Sequence, residues 1–198
     1  MPGEFVIGVD VGTGSVRAGV FDLRGRMVSF SQKEIQIWRP KEHFVEQSSV
    51  DIWSAACFSV KDAIHRAGVS PESVVGISFD ATCSLVALDA DDRPVTVSPT
   101  GNDAQNVVVW MDHRALREAE EINGGRHRVL RYVGGRISTE MEIPKLLWIK
   151  ENHPSTLKRA AKFLDLAVQL VKADNRITNE ENIFLNDLFD AWEHDEQE

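Results

Sequence analysis

The stretch Asp10-Val11-Gly12-Thr13-Gly14-Ser15-Val16-Arg17 gathers a carboxylate, two glycines, two hydroxyls and a guanidinium within eight residues. Glycine lets the main chain approach a ligand closely, and successive N–H groups in such a turn form a concave nest suited to phosphate oxygens. On that chemistry Gly12, Thr13, Gly14 and Ser15 would cradle phosphates and Arg17 would add positive charge. Asp10 would hold Mg2+ through water. The stretch is neither a Gly-Lys-Ser/Thr phosphate loop nor a GxGxxG turn, and a plain hairpin with glycines for turn geometry is the competing reading.

The elements that must position this turn are legible around it. Residues 5–10 read as a buried strand and residues 16–22 as its hairpin partner, with residues 27–37 continuing as a third antiparallel strand. Ser48 or Ser49 can cap a helix over 50–67 that Gly68 stops, and its apolar positions recur at helical spacing. Residues 74–79 are short and apolar enough for a buried strand, and residues 84–88 are expected as its antiparallel neighbour. A strand at 107–111, helices at 114–122, 127–132 and 144–151, and a short strand at 163–166 complete the pattern. Trp38, Trp53, Trp110 and Trp148 fall in or beside these elements and are expected in the core.

With 198 residues and 42% hydrophobic content the chain can build one sizeable α/β domain, with or without an appendage. No apolar run nears the roughly 20 residues of a membrane span, and the start lacks the marks of a secretory signal, so a cytoplasmic address is expected. Cys57 and Cys83 stand far apart without a CxxC pair, which argues against a disulfide framework or zinc. Of the net charge of −9, residues 174–198 hold nine acidic side chains against one basic, Arg176. The near-neutral body offers nucleic acid or anionic membrane no electrostatic reward.

The hairpin is similar to the first phosphate-binding element of the actin-like sugar kinases, the superfamily of hexokinases and the Hsp70 ATPase domain. Three further segments narrow the likeness: Gly76-Ile77-Ser78-Phe79-Asp80-Ala81-Thr82-Cys83-Ser84-Leu85-Val86, Trp110-Met111-Asp112-His113-Arg114-Ala115, and Val133 through Trp148 with Glu140-Met141-Glu142-Ile143-Pro144-Lys145 inside it. Together and in this order they resemble the N-terminal portion of the FGGY pentulose kinases, ribulokinases above all, over most of residues 5–166. The resemblance implies ATP and Mg2+ as cofactors, sugar and nucleotide as small-molecule partners, and phosphorylation of a pentulose, D-ribulose first. It places the sugar near Ala81, Thr82, Cys83 and Lys145, with Asp112 at the mouth of the same cleft. Carboxylates and a lysine suit a polyhydroxylated ligand because each makes charge-assisted hydrogen bonds. Taken singly, without the resemblance, Asp112 reads as a helix N-cap and Lys145 as a solvated lysine. His113 is expected to be structural.

The resemblance implies a ribonuclease H-like, actin-type α/β lobe, expected as a mixed five-stranded sheet with helices on both faces. Residues 1–166 would be the incomplete kinase N-terminal domain and residues 167–198 a divergent, acidic, helical tail, with Ile183, Leu185, Leu188, Phe189 and Trp192 on one face after a Thr178 cap. Asp174-Asn175-Arg176 lacks the glycine and spacing of a calcium loop. In such kinases the second lobe supplies the adenine pocket and the catalytic aspartate, so no catalytic residue is expected here and activity alone should be weak or nil. The rival reading is a non-catalytic, partner-binding or regulatory module built on the same lobe.

Overall fold

The computed structural model describes residues 4–125 and 127–172. The expected acidic helix and the calcium-like Asp174 segment lie outside these residues. Strands β1 (Phe5–Val11), β2 (Ser15–Asp22) and β3 (Met27–Glu34) form the antiparallel meander read from the sequence. Alternation sets its faces: Ile7, Val9 and Val11 of β1 and Val16, Ala18 and Val20 of β2 are buried, whereas Gly8 and Asp10 face solvent. β5 (Val74–Ala81) then runs parallel to β1, giving a first sheet of order β3-β2-β1-β5.

Helix α1 (Ser49–Ala67) makes that parallel crossover possible and lies across β2 and β3. Its start is fixed by Ser48, whose hydroxyl accepts from Asp51 N, and its end by Gly68 at φ 63°, a left-handed turn that suits glycine. Ile52, Ala55, Ala56 and Ala63 meet the buried face of the sheet, and Ser29 and Ser31 of β3 hydrogen-bond to Ala63 O and Asp62.

One sheet of five strands was the expectation, with 84–88 paired to 74–79. Instead β6 (Leu85–Leu88) leaves β5 and joins a second four-stranded sheet. Its order is β4-β7-β6-β8, from β4 (Glu46–Gln47), β7 (Val107–Val108) and β8 (Lys162–Asp165), all antiparallel. Two backbone ties carry the chain from one sheet to the other instead: Thr82 N is held by Val11 O, and Ser84 O by Leu166 N. All four residues of β6 are buried, which requires cover on both faces. Val86 and Leu88 join the core under α1, together with Leu166 and Leu170 of α5 (Leu166–Lys172). Leu85 and Ala87 face Leu146 and Ile149 of α3 (Glu142–Asn152).

Helices therefore cover both faces of the second sheet, while among the described residues α1 and α5 line one face of the first. The packed body runs on past residue 166 through α5, where Leu170 is 1% exposed. A third cluster forms between α2 (Leu116–Gly124), α3 and the segment 128–133, through Ala119, Ile122, Leu130 and Ile137. That last segment, expected as a helix over 127–132, is a 3-10 helix ended by Gly134 at φ 79°. A short helix, α4 (Pro154–Arg159), begins on Pro154 and leads into β8.

Candidate active-site face

β1 and β5 are parallel neighbours, so their C-terminal ends emerge on one side of the sheet, where ligands of open α/β sheets gather. β1 leads into the Gly12–Ser15 turn and β5 into Ala81, Thr82 and Cys83. The two are tied directly, since Thr82 N donates to Val11 O at 3.2 Å. The phosphate-turn and sugar segments read from the sequence therefore lie side by side.

In the turn, Gly12 N donates to Ser15 O at 3.0 Å, and Gly14 O accepts from Ile35 N at 3.2 Å. A Cβ at Gly12 would meet the Arg17 guanidinium, so a side chain there requires that flexible group to move aside. Asp10 and Arg17 are cross-strand partners, with Arg17 Nη2 3.1 Å from Asp10 Oδ2, and each side chain is about half exposed. Arg17 thus reaches across to β1 and is paired with Asp10 rather than standing free. Asp80 is in register with Asp10 on the next strand. These residues edge a shallow depression of about 340 Å3 on the solvent face of the first sheet, floored by Gly8 and Gly19 and flanked by Phe21 and Phe30.

On the sugar side Cys83 is exposed, and the Thr82 and Ser84 hydroxyls are 3.2 Å apart. Lys145 is not a surface lysine: it has no accessible surface. Its ammonium donates to Val109 O, Trp110 O and Glu140 O at 3.0, 3.0 and 2.9 Å, which uses all three protons. Burial pulls its pKa down to about 8 against the opposing pull of Asp112, Cys83 and Glu142. Lys145 thereby clamps the chain after β7 to the loop before α3.

Asp112 also differs from expectation. It does not open on a cleft but is wholly enclosed: Oδ2 accepts from Val45 N at 2.6 Å and Arg114 Nη2 at 2.7 Å, and Oδ1 from Arg114 N and Nε at 2.9 Å each. A bidentate guanidinium saturates the carboxylate. Nor does it cap a helix, as α2 begins at Leu116.

Nothing in the sequence singles out the rest of this network. Arg114 Nη2 also meets Glu46 Oε1 at 2.8 Å, and its guanidinium lies over Phe44 at 4.1 Å and Trp148 at 5.1 Å from the ring centroids. Glu46 in turn accepts from Gln105. Trp110, expected in the core, is half-buried and aims its indole Nε1 at Thr13 Oγ1, 3.0 Å away. Gln47 Nε2 donates to Thr13 O at 2.5 Å. Glu142, quoted only within a motif, faces Asp165; burial and a carboxyl–carboxyl hydrogen bond raise its pKa to about 7. His113 is 3.7 Å from Glu140 and is otherwise tied through its backbone to His43 O.

No helix among the described residues is long and apolar enough to cross a membrane. Solved structures with this fold include a ligand-bound xylulose kinase (TM-score 0.70, 23% identity) and a gluconate kinase (0.69, 23%), both from Lactobacillus acidophilus. Each match covers 82% of this chain and 31% of the other. At those identities the likeness carries the fold alone, the actin-like lobe of the sugar kinases. In sequence the chain is 48% identical over 166 residues to a D-ribulokinase of Saccharomyces cerevisiae, covering 82% of this chain and 23% of the relative. It is 45% identical over 166 residues to an FGGY carbohydrate kinase domain-containing protein of Homo sapiens, covering 83% and 30%. The chain thus spans less than a third of the length of these relatives. Residues 5–173 match the N-terminal domain of the FGGY family of carbohydrate kinases, and the chain belongs to that family.

Proposed function

We propose that this chain is the substrate- and phosphate-binding lobe of an ATP-dependent pentulose kinase, with D-ribulose as the substrate. The observation that carries the reading is the junction of the β1 and β5 ends, which sets a glycine turn beside Thr82 and Cys83. The identity to the yeast D-ribulokinase supports the choice of sugar. In this reading Thr13, Gly14 and Ser15 hold the nucleotide's phosphates, and Ala81, Thr82 and Cys83 line the sugar site. Lys145 and Asp112 act from behind: the lysine presents the carbonyls of Trp110 and Glu140, and the aspartate pins Val45 and Arg114.

A half-exposed carboxylate at the start of a phosphate turn suits Mg2+ that arrives with a nucleotide, so Asp10 is the residue to hold it, through water. When bound, the metal neutralises charge that builds on the phosphoryl oxygens. This chain's residues orient the reactants, and the base that takes the sugar hydroxyl's proton belongs to a second lobe. Phosphoryl transfer depends on positioning from both sides, so the chain alone binds weakly and does not turn over. A cytoplasmic address and a lack of affinity for nucleic acid go with this reading.

The test is isothermal titration of the 198-residue chain with D-ribulose, D-xylulose, L-ribulose and MgADP, alongside an ATP turnover assay. Millimolar binding of D-ribulose, weaker binding of the other two sugars and no turnover are expected. Absence of any pentulose binding at tens of millimolar would sink it.

A further inference from the structure

Trp110 is the point at which four segments meet. Its indole Nε1 donates to Thr13 Oγ1 in the glycine turn, 3.0 Å away and 97 residues back in the chain. Its backbone N donates to Ser84 Oγ at 3.2 Å, and that hydroxyl is 3.2 Å from Thr82 Oγ1 at the end of β5. Its carbonyl accepts from the buried ammonium of Lys145 at 3.0 Å. One residue therefore touches the phosphate turn, the sugar segment and the Lys145 clamp.

The contact with Thr13 is suited to more than packing. An indole N–H only donates, whereas a hydroxyl has one proton to give and two lone pairs. By accepting from Trp110, Thr13 keeps its proton free for a second partner. Gln47, 1% exposed, holds the same residue from the other side through Thr13 O at 2.5 Å. A trans peptide sets C=O and N–H in opposite directions, so Gln47 also turns the Gly14 N–H away from itself. The result is a hydroxyl proton and an adjacent N–H both available to an anion, with Trp110 behind the first.

We propose that Trp110 is a positioning residue that couples the two sites, so that an anion drawn to Thr13 and a sugar beside Thr82 each favour the other's binding. This rests on the pentulose kinase reading above and goes beyond it, since two adjacent sites need not communicate. A phosphate oxygen that takes the Thr13 proton polarises the hydroxyl and strengthens its hold on the indole, as hydrogen bonds in a chain reinforce one another. Holding the ring holds the Trp110 peptide, whose N–H and C=O fix Ser84 and Lys145. The coupling is reciprocal by thermodynamic necessity, and one hydrogen bond of this kind corresponds to about fivefold in affinity each way.

The experiment follows the indole N–H resonances of the 15N-labelled 198-residue chain, with Trp110 assigned from Trp110→Phe. MgADP and D-ribulose are titrated separately, then each in the presence of the other. The Trp110 resonance should move with either ligand, and each dissociation constant should fall about fivefold when the other is bound. Thr13→Val and Trp110→Phe should bring that ratio to one, and Thr13→Ser, which keeps the hydroxyl, should restore it. The same spectra report whether each variant is folded. Binding of both ligands with a ratio of one in the unaltered chain, or a ratio that survives in Thr13→Val and Trp110→Phe, overturns the coupling and leaves the kinase reading intact. Failure of D-ribulose to bind removes the kinase reading and the coupling with it, whereas failure of MgADP alone overturns only the coupling.

Discussion

Arg114 grips Asp112 edge-on, Nε to Oδ1 at 2.9 Å and Nη2 to Oδ2 at 2.7 Å, with neither side chain exposed. The same guanidinium reaches Glu46, so one cation answers two buried carboxylates. Removing a single member of a buried ion pair leaves an uncompensated charge, which costs about 3–5 kcal/mol. Arg114→Met should therefore bring the chain close to unfolding, given a typical total of about 5–15 kcal/mol. Arg114→Lys should recover only part of the loss, because an ammonium cannot make the fork or stack on Phe44 and Trp148. Urea unfolding curves of the three proteins check both statements, and an Arg114→Met midpoint near that of the unaltered chain would contradict them.

Lys145→Met should lower stability by roughly 3 kcal/mol, as three carbonyls lose their donor while the apolar stem is kept. A second consequence concerns pH. With a folded pKa of about 8 against an ordinary 10.5, the unfolded chain binds the extra proton between those values, so this residue makes stability rise with pH across that window. Titration of the Lys145 Nζ resonance gives the pKa directly, and a midpoint above 10 would refute the assignment.

Glu142 works in the opposite sense. Its carboxyl titrates near 7 in the fold and near 4.5 when unfolded, so the native state binds the additional proton in between. Stability should fall as pH climbs from about 4.5 to 7, by on the order of 1–2 kcal/mol after allowing for its partial exposure. Glu142→Gln, which keeps a hydrogen bond to Asp165 without the charge, should flatten that slope. Thermal melts in a pH series distinguish the two profiles.

Two glycines should respond with opposite signs. Gly134 ends the 3-10 turn at φ 79°, where a side chain is strained, so Gly134→Ala should cost about 1 kcal/mol. Gly124 closes α2 without a positive φ, and nothing lies within 4 Å of the point a Cβ would occupy, so Gly124→Ala should stabilise by about 0.5 kcal/mol. Chemical denaturation of the pair tests the sign, which is the informative quantity.

The local devices were legible in the chain because local chemistry dictates them. Ser48 and Gly68 bracket α1, alternation marks β1 and β2, and the glycine turn lies where its residues say. What failed were pairings set by distant residues. β6 looks like the return strand of a hairpin with β5, since the apolar run follows after three residues; its partners β7 and β8 are chosen by burial on both faces, which periodicity cannot reveal. β4 is two residues long and leaves no pattern. In the site, Asp112 and Lys145 stood out by type, but their enclosure depends on Arg114 and on carbonyls 35 and 36 residues away. Glu46 and Arg114, 68 residues apart, carry no joint signature at all.

The strand order of the first sheet ends on β5, and among the described residues its outer rim of N–H and C=O groups has no neighbouring strand. Val75 and Ile77 on that strand are 56% and 42% exposed. Such a rim is a template for another chain's backbone. At high concentration this polypeptide should self-associate through residues 74–81, and a proline at position 77 should suppress that assembly more than any change of surface charge.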